Sequence, residues 1–235
     1  MDAVSRDGGS VRVLGVDNTD RAFSEVKEDA GVVLDEAYFP EVLTARQVGS
    51  IMKRTYQRWD GDCYQRYLRK LALPDNKAFK DFSRGMKMKL AIAVALSHEA
   101  KLLVLDEATG GLDPIVRDEI LDLFNDFTRD ETHSILLSSH IVSDLEKICD
   151  YVAFIHNGRL VLCEEKDRLL DEFAIASLQK EAFRSLPHDV VLGYKESGYG
   201  VEALVRRSVA PPSLKLERTT LENIILFLVK GENEQ

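Results

Sequence analysis

The stretch Leu102-Leu103-Val104-Leu105-Asp106-Glu107 decides how the rest of this chain is read. Four consecutive apolar residues predict a strand covered on both faces, the pattern of a parallel α/β sheet. Such a sheet presents the side chains at the carboxyl ends of its strands to the crevice where ligands bind. Asp106 and Glu107 fall at that end. One carboxylate there suits a hard cation, and the other suits taking a proton from water. Two solvated acids at a strand end are the plain alternative, and the flanking residues weigh against it.

Immediately after comes Ala108-Thr109-Gly110-Gly111-Leu112-Asp113-Pro114, whose glycines allow a tight turn and whose proline opens a helix to about Phe127. Upstream, Ser83 caps a helix predicted through His98, so Phe82-Ser83-Arg84-Gly85-Met86 brings a hydroxyl and free backbone N–H groups to an anion-favouring helix start. Downstream, Ser134 to Leu137 predicts a strand running into Ser138-Ser139-His140, and Val142 to Ile148 predicts a helix. Strands alternating with helices imply a mostly parallel α/β sheet.

Ahead of this core, Ser10 to Val16 and Gly31 to Leu34 read as short strands. Thr44 caps a helix over Ala45 to Trp59, and a second helix covers Tyr64 to Leu71 before Pro74 stops it, which together make a helical insert over about residues 44–98. Tyr151 to Ile155 and Arg159 to Cys163 flank Asn157-Gly158 as a hairpin. Past Phe173 the pattern changes to a charged helix, strands at Val190 to Tyr194 and Val201 to Val205, a Pro211-Pro212 break and a helix over Thr220 to Lys230. The expected boundary lies near residue 165, giving 1–165 as an α/β domain and 166–235 as a small α+β extension.

The 235 residues carry a net charge of −9, with 45% hydrophobic and 30% charged residues. That composition fits a folded globular chain and argues against a nucleic-acid partner, which needs a basic face. Cys63, Cys149 and Cys163 are too few and too scattered for a disulfide framework or a zinc site, so a reducing cytoplasmic setting is expected. The longest apolar runs fall far short of the roughly 20 residues that cross a bilayer, so any membrane connection is expected to come through a partner. His98, His133, His156 and His188 show no ligand spacing and are expected at the surface. Tyr56, Trp59, Tyr64 and Tyr67 are expected to pack the helical insert.

Taken in chain order, these segments resemble the signature motif, Walker B, D-loop and H-loop of ABC-type ATPases, over about Ser10 to Asp167. Ser83-Arg84-Gly85-Met86 is similar to the Leu-Ser-Gly-Gly-Gln signature, with Phe82, Arg84 and Met86 departing from it. The resemblance implies a P-loop NTPase-like fold that binds ATP and Mg²⁺. Asp106 would hold the metal through its water shell, Glu107 would be general base, and His140 would contact the γ-phosphate. Ser83, Arg84, Gly85 and Asp113 would face nucleotide across a dimer, and Asp35 would stand where the family has its Q-loop glutamine. The implied partners are a multi-pass membrane permease and a second ATPase subunit, identical or not, at the inner face of the membrane. Bacterial exporters are the nearest layout.

No G-x-x-x-x-G-K-[ST] occurs among the 235 residues. The family places that loop upstream, and Met1-Asp2-Ala3-Val4 resembles the tail of the helix that follows it. The expectation is therefore an N-terminally incomplete ABC ATPase domain, inactive by itself because the loop supplies backbone N–H groups and a lysine to the phosphates. The alternative is a degenerate or non-transport ABC protein acting as a regulatory partner subunit.

Overall fold

The computed structural model describes residues 7–230, so the reading of Met1 to Val4 lies outside the described residues. The chain divides into two compact units, Met1–His140 and Ile141–Gln235.

In the first unit, β1 (Arg12–Val13) and β2 (Val16–Asp17) form a small antiparallel hairpin. The sequence predicts one strand over Ser10 to Val16. It folds back instead because Leu14 and Gly15 take positive φ values of 49° and 84°, the backbone of a tight hairpin turn. A short helix α1 (Phe23–Val26) leads into β3 (Ala30–Val33). Next come helices α2 (Ala45–Thr55), α3 (Gly61–Lys70) and α4 (Arg84–Ala95), then β4 (Leu102–Asp106), α5 (Pro114–Thr128) and β5 (Ser134–Ser138). Strands β3, β4 and β5 pair in parallel in that order, with Val33 opposite Leu105 and Asp106 opposite Ser138.

One face of this sheet carries Gly31, Val33, Leu103 and Leu105 and is buried, with Leu103 at 0% exposure. The C-terminal end of α4 packs there: a Cβ on Gly31 would meet the Ala95 carbonyl oxygen at 2.8 Å. The opposite face is open, with Val32 at 37% and Leu136 at 64% exposure. The expectation of a strand covered on both faces thus holds for one face only. Apolar runs record what a strand can bury, and nothing among the described residues of this unit covers the second side.

The helical insert is held together by Tyr64, which is buried and donates its hydroxyl to the Ala45 carbonyl at 2.8 Å. Thr44 and Gln47 form a capping box at the start of α2, and Asp60 caps α3. The insert is tethered to the chain ahead of β3: Arg58 pairs with Asp29 at 2.5 Å, and Glu28 accepts the Gln57 N–H. The Arg58 guanidinium holds the Asp29 carboxyl below its ordinary value. His98, expected at the surface, is wholly buried in the same seam. It stacks on Tyr56 with 3.9 Å between ring centroids, and its Nδ1 lies 3.1 Å from the Glu28 carbonyl oxygen.

The second unit contains α6 (Val142–Ile148), the hairpin β6 (Tyr151–His156) and β7 (Arg159–Glu165), α7 (Lys166–Glu172), β8 (Phe173–Leu178), α8 (Lys180–Arg184), β9 (Val191–Ser197), β10 (Gly200–Arg206), β11 (Leu216–Glu217) and α9 (Leu221–Lys230). Strands pair antiparallel in the order β11-β8-β10-β9. Both faces are covered: Val152, Phe173, Ile175, Leu204, Ile224 and Phe227 share one core, and Ala174, Ala176, Phe183, Val201, Ala203 and Val205 share another. The sequence places the boundary near 165. The compact units divide at His140 because Val152 packs into the core that α9 and β8 build. Strand β8 itself is absent from the sequence reading.

Candidate functional site

The parallel register decides where the chemistry gathers. Val33, Leu105 and Leu137 are aligned across β3, β4 and β5, so the chain just beyond each of them leaves the sheet along one edge. Asp35, Asp106, Glu107 and His140 all follow there. This is the ligand-binding edge of an open α/β sheet.

Glu107 and His140 are in direct contact. The His140 backbone N–H donates to Glu107 Oε1 at 3.0 Å, and the imidazole Nδ1 stands 2.6 Å from Oε2. That second approach lacks hydrogen-bond geometry, so Oε2 is left buried and without a hydrogen bond. Glu107 also sits at φ 49°, a left-handed backbone that costs a non-glycine residue about 1–3 kcal/mol. Strain held at a carboxylate whose oxygen lacks a donor is the mark of a site arranged for a ligand.

Asp106 is exposed and accepts a hydrogen bond from the Ser138 hydroxyl on the neighbouring strand. The Ser138 carbonyl accepts the Glu107 N–H at 3.0 Å. One serine therefore steadies both acids. Its role follows from the parallel register that sets it opposite Asp106, a signal that single-strand patterning does not carry.

The remaining residues are placed as follows. Asp35 is exposed in the bend after β3, where its carboxylate accepts the Glu36 N–H at 2.9 Å. Ser83 is the N-cap of α4 and accepts the Met86 N–H at 3.3 Å. Gly85 faces α5, where a Cβ would come within 3.3 Å of Val116. Arg84 is exposed, and its guanidinium lies over Gly111. Asp113 caps α5, accepting from the N–H groups of Ile115 and Val116 at 3.2 and 3.1 Å. The structure thus brings Asp106, Glu107 and His140 together, sets Arg84 against the loop that follows them, and uses Ser83 and Asp113 as helix caps.

The donor set fits a hard cation: an exposed carboxylate beside a hydroxyl, both oxygen ligands. Among the described residues no three His, Cys, Asp or Glu side chains converge, so Mg²⁺ would be held by Asp106 together with nucleotide phosphates and water, not by a protein cage.

Parallel strands flanked by helices, with an acid pair and a histidine at their carboxyl edge, define an α/β domain with a ligand-binding edge. The family profile described as ABC transporter matches residues 1–110. The ABC transporter ATP-binding protein YcbN of Bacillus subtilis (strain 168) is 32% identical, with 96% of this chain and 80% of that protein covered. The chain belongs to the ABC transporter ATP-binding family. The lantibiotic transport ATP-binding protein SrtF of Streptococcus pyogenes is 43% identical, but the alignment covers 40% of each protein, so the chain spans 40% of that relative's length. A solved structure described as the ATP-binding subunit of an ABC transporter superposes with a TM-score of 0.62 at 26% identity, covering 70% of each chain. Among the described residues no helix is long and apolar enough to cross a membrane.

Proposed function

We propose that this chain is the energy-transducing subunit of a bacterial exporter, contributing its acid pair, histidine and signature helix to an ATP site. The observation that carries the reading is the Glu107–His140 contact at the end of parallel strands, 2.6 Å between Nδ1 and Oε2, with Asp106 alongside. Glu107 takes the proton of the attacking water, held by the His140 N–H in the orientation its strained backbone sets. Asp106 would hold the cation through its water shell, and the Ser138 hydroxyl steadies that carboxylate by donating to it. His140, exposed through most of its ring, is free at Nε2 to meet a phosphate. Bound Mg²⁺·ATP supplies the phosphoryl group and neutralises its charge.

These 235 residues contain no G-x-x-x-x-G-K-[ST], the loop whose backbone N–H groups cradle phosphates. Ser83, Arg84 and Gly85 present the start of α4 to nucleotide on a second ATPase subunit, with Asp113 beside them and Asp35 sensing the site from the β3 edge. ATP closes the pair, hydrolysis opens it, and a multi-pass permease converts the movement into transport at the cytoplasmic face of the membrane. The name of the lantibiotic transport ATP-binding relative supports a role in transport.

A mixing experiment tests action in trans. In a polypeptide that adds a phosphate loop ahead of these residues, Ser83→Arg sets bulk and charge where a partner's γ-phosphate would lie, so it should block closure without weakening binding at the same subunit's phosphate loop. Mixed with a phosphate-loop variant, a trans arrangement yields heterodimers with one doubly damaged site and one intact site, and activity above either parent. Activity no higher than the better parent contradicts it.

A further inference from the structure

The loop that carries Glu107 is gripped from outside by the helix that precedes its strand. A Cβ built on Gly111 would lie 2.6 Å from an Arg84 Nη and 2.8 Å from Cζ, so the guanidinium fills the space where any other residue's side chain would begin. Gly111 also has a φ of 66°, a conformation that glycine alone takes without cost. On the inner side of the same turn, the Gly110 N–H donates to the Glu107 carbonyl at 2.9 Å. A Cβ on Gly110 would stand 3.1 Å from that carbonyl oxygen and 3.6 Å from Glu107 Oε2. The two glycines therefore bring the turn close to both groups, Gly110 to the Glu107 carboxylate and Gly111 to the Arg84 guanidinium. Two further contacts hold α4 on α5: Gly85 lies against Val116, and Lys89 pairs with Glu119 at 2.5 Å.

We propose that Arg84 is a positioning residue, clamping the Gly110–Gly111 turn so that the Glu107 carboxylate stays seated on His140. The planar guanidinium suits this role because it covers a flat glycine surface, which a lysine ammonium on a flexible stem does not. Movement of the α4 N-terminus thereby transmits to the carboxylate through one side chain, with no change in the sheet. The proposal rests on the assignment of Glu107 as base, but its test reads the turn and not turnover.

Amide hydrogen exchange and histidine-ring NMR are measured on this chain and on Arg84→Ala, Arg84→Lys and Lys89→Ala. In Arg84→Ala the bonded N–H groups of Glu107 and Gly110 should exchange about tenfold faster, and the His140 ring resonances should shift as the carboxylate loosens. Arg84→Lys should restore neither. Lys89→Ala, which removes one α4–α5 ion pair but keeps the Gly85–Val116 packing and the Arg84 contact, should leave both unchanged. Unaltered exchange in Arg84→Ala overturns the proposal. Faster exchange with unmoved His140 resonances also overturns it, since Arg84 would then be packing alone. Gly111→Ala, whose Cβ evicts the guanidinium, should reproduce the Arg84→Ala effect and add little to it in the double variant. Hydrolysis by Glu107→Gln at a rate within a few-fold of the parent would remove the base assignment while leaving these readouts as they stand.

Discussion

The backbone N–H of His140 donates to Glu107 Oε1 at 3.0 Å and its imidazole Nδ1 lies 2.6 Å from Oε2, so the two contacts fix one carboxylate orientation. Pre-orientation of this kind lowers the reorganisation needed at the moment of reaction.

Loss of the Glu107 charge should therefore separate binding from turnover. In a polypeptide that includes a phosphate loop, Glu107→Gln should bind ATP as before and lose about 10²- to 10⁴-fold in steady-state hydrolysis. Phosphate release measured at saturating Mg²⁺·ATP checks it. A rate within a few-fold of the parent would take Glu107 out of the base role.

The helical insert has a packing constraint that is independent of catalysis. A Cβ on Gly49 would lie 2.5 Å from the Tyr64 ring, inside any real contact distance. Alanine at a helix interior ordinarily gains about 1 kcal/mol over glycine, but overpacking a buried ring costs about 1–3 kcal/mol. Gly49→Ala should thus lower the midpoint of urea unfolding. Stabilisation would show that Tyr64 is free to move aside.

Buried His98 makes the first unit sensitive to mild acid. Burial lowers its proton affinity from the ordinary 6.5, outweighing the Glu28 carbonyl that raises it. In the unfolded chain the imidazole takes up a proton as pH falls through about 6.5, while in the folded chain it stays neutral until lower pH. Stability from this residue is complete above that value and declines below it. Asp29, held low by Arg58, acts in a separate window, its contribution lost only as pH falls below the ordinary carboxylate value of 3.8. Unfolding free energies of the parent and His98→Leu, compared between pH 7.5 and 5, should show the smaller loss in the variant. Equal losses would mean that His98 titrates as an ordinary exposed histidine.

Much of the α/β core was legible because its signals are local. The apolar run Leu102 to Leu105 marks β4, Ser83 and Asp113-Pro114 mark helix starts, and Asn157-Gly158 marks the β6–β7 hairpin. What was not legible depends on neighbours distant in sequence. Strand β8, Phe-Ala-Ile-Ala-Ser-Leu, has no alternation because its sheet is covered on both faces and small alanines fill one of them. The unit boundary moved to His140 because Val152 finds its core among residues of β8, β10 and α9. His98 reads as polar and is buried by stacking on Tyr56. At the candidate site, the acids and His140 stood out by position, whereas the Ser138 bond to Asp106 and the Arg84 cover on Gly111 required strand register and helix placement.

If these residues form the catalytic and signature parts of an ATP site, tight nucleotide binding needs a G-x-x-x-x-G-K-[ST] loop, which the 235 residues do not contain. Mg²⁺·ATP titrated by calorimetry into the 235 residues alone, and then into a longer polypeptide that adds a G-x-x-x-x-G-K-[ST] loop ahead of them, tests it most directly. The account predicts no saturable binding tighter than about 1 mM for the first and binding at least about tenfold tighter for the second, abolished by substituting the loop lysine. Tight, saturable ATP binding by the 235 residues alone would contradict it.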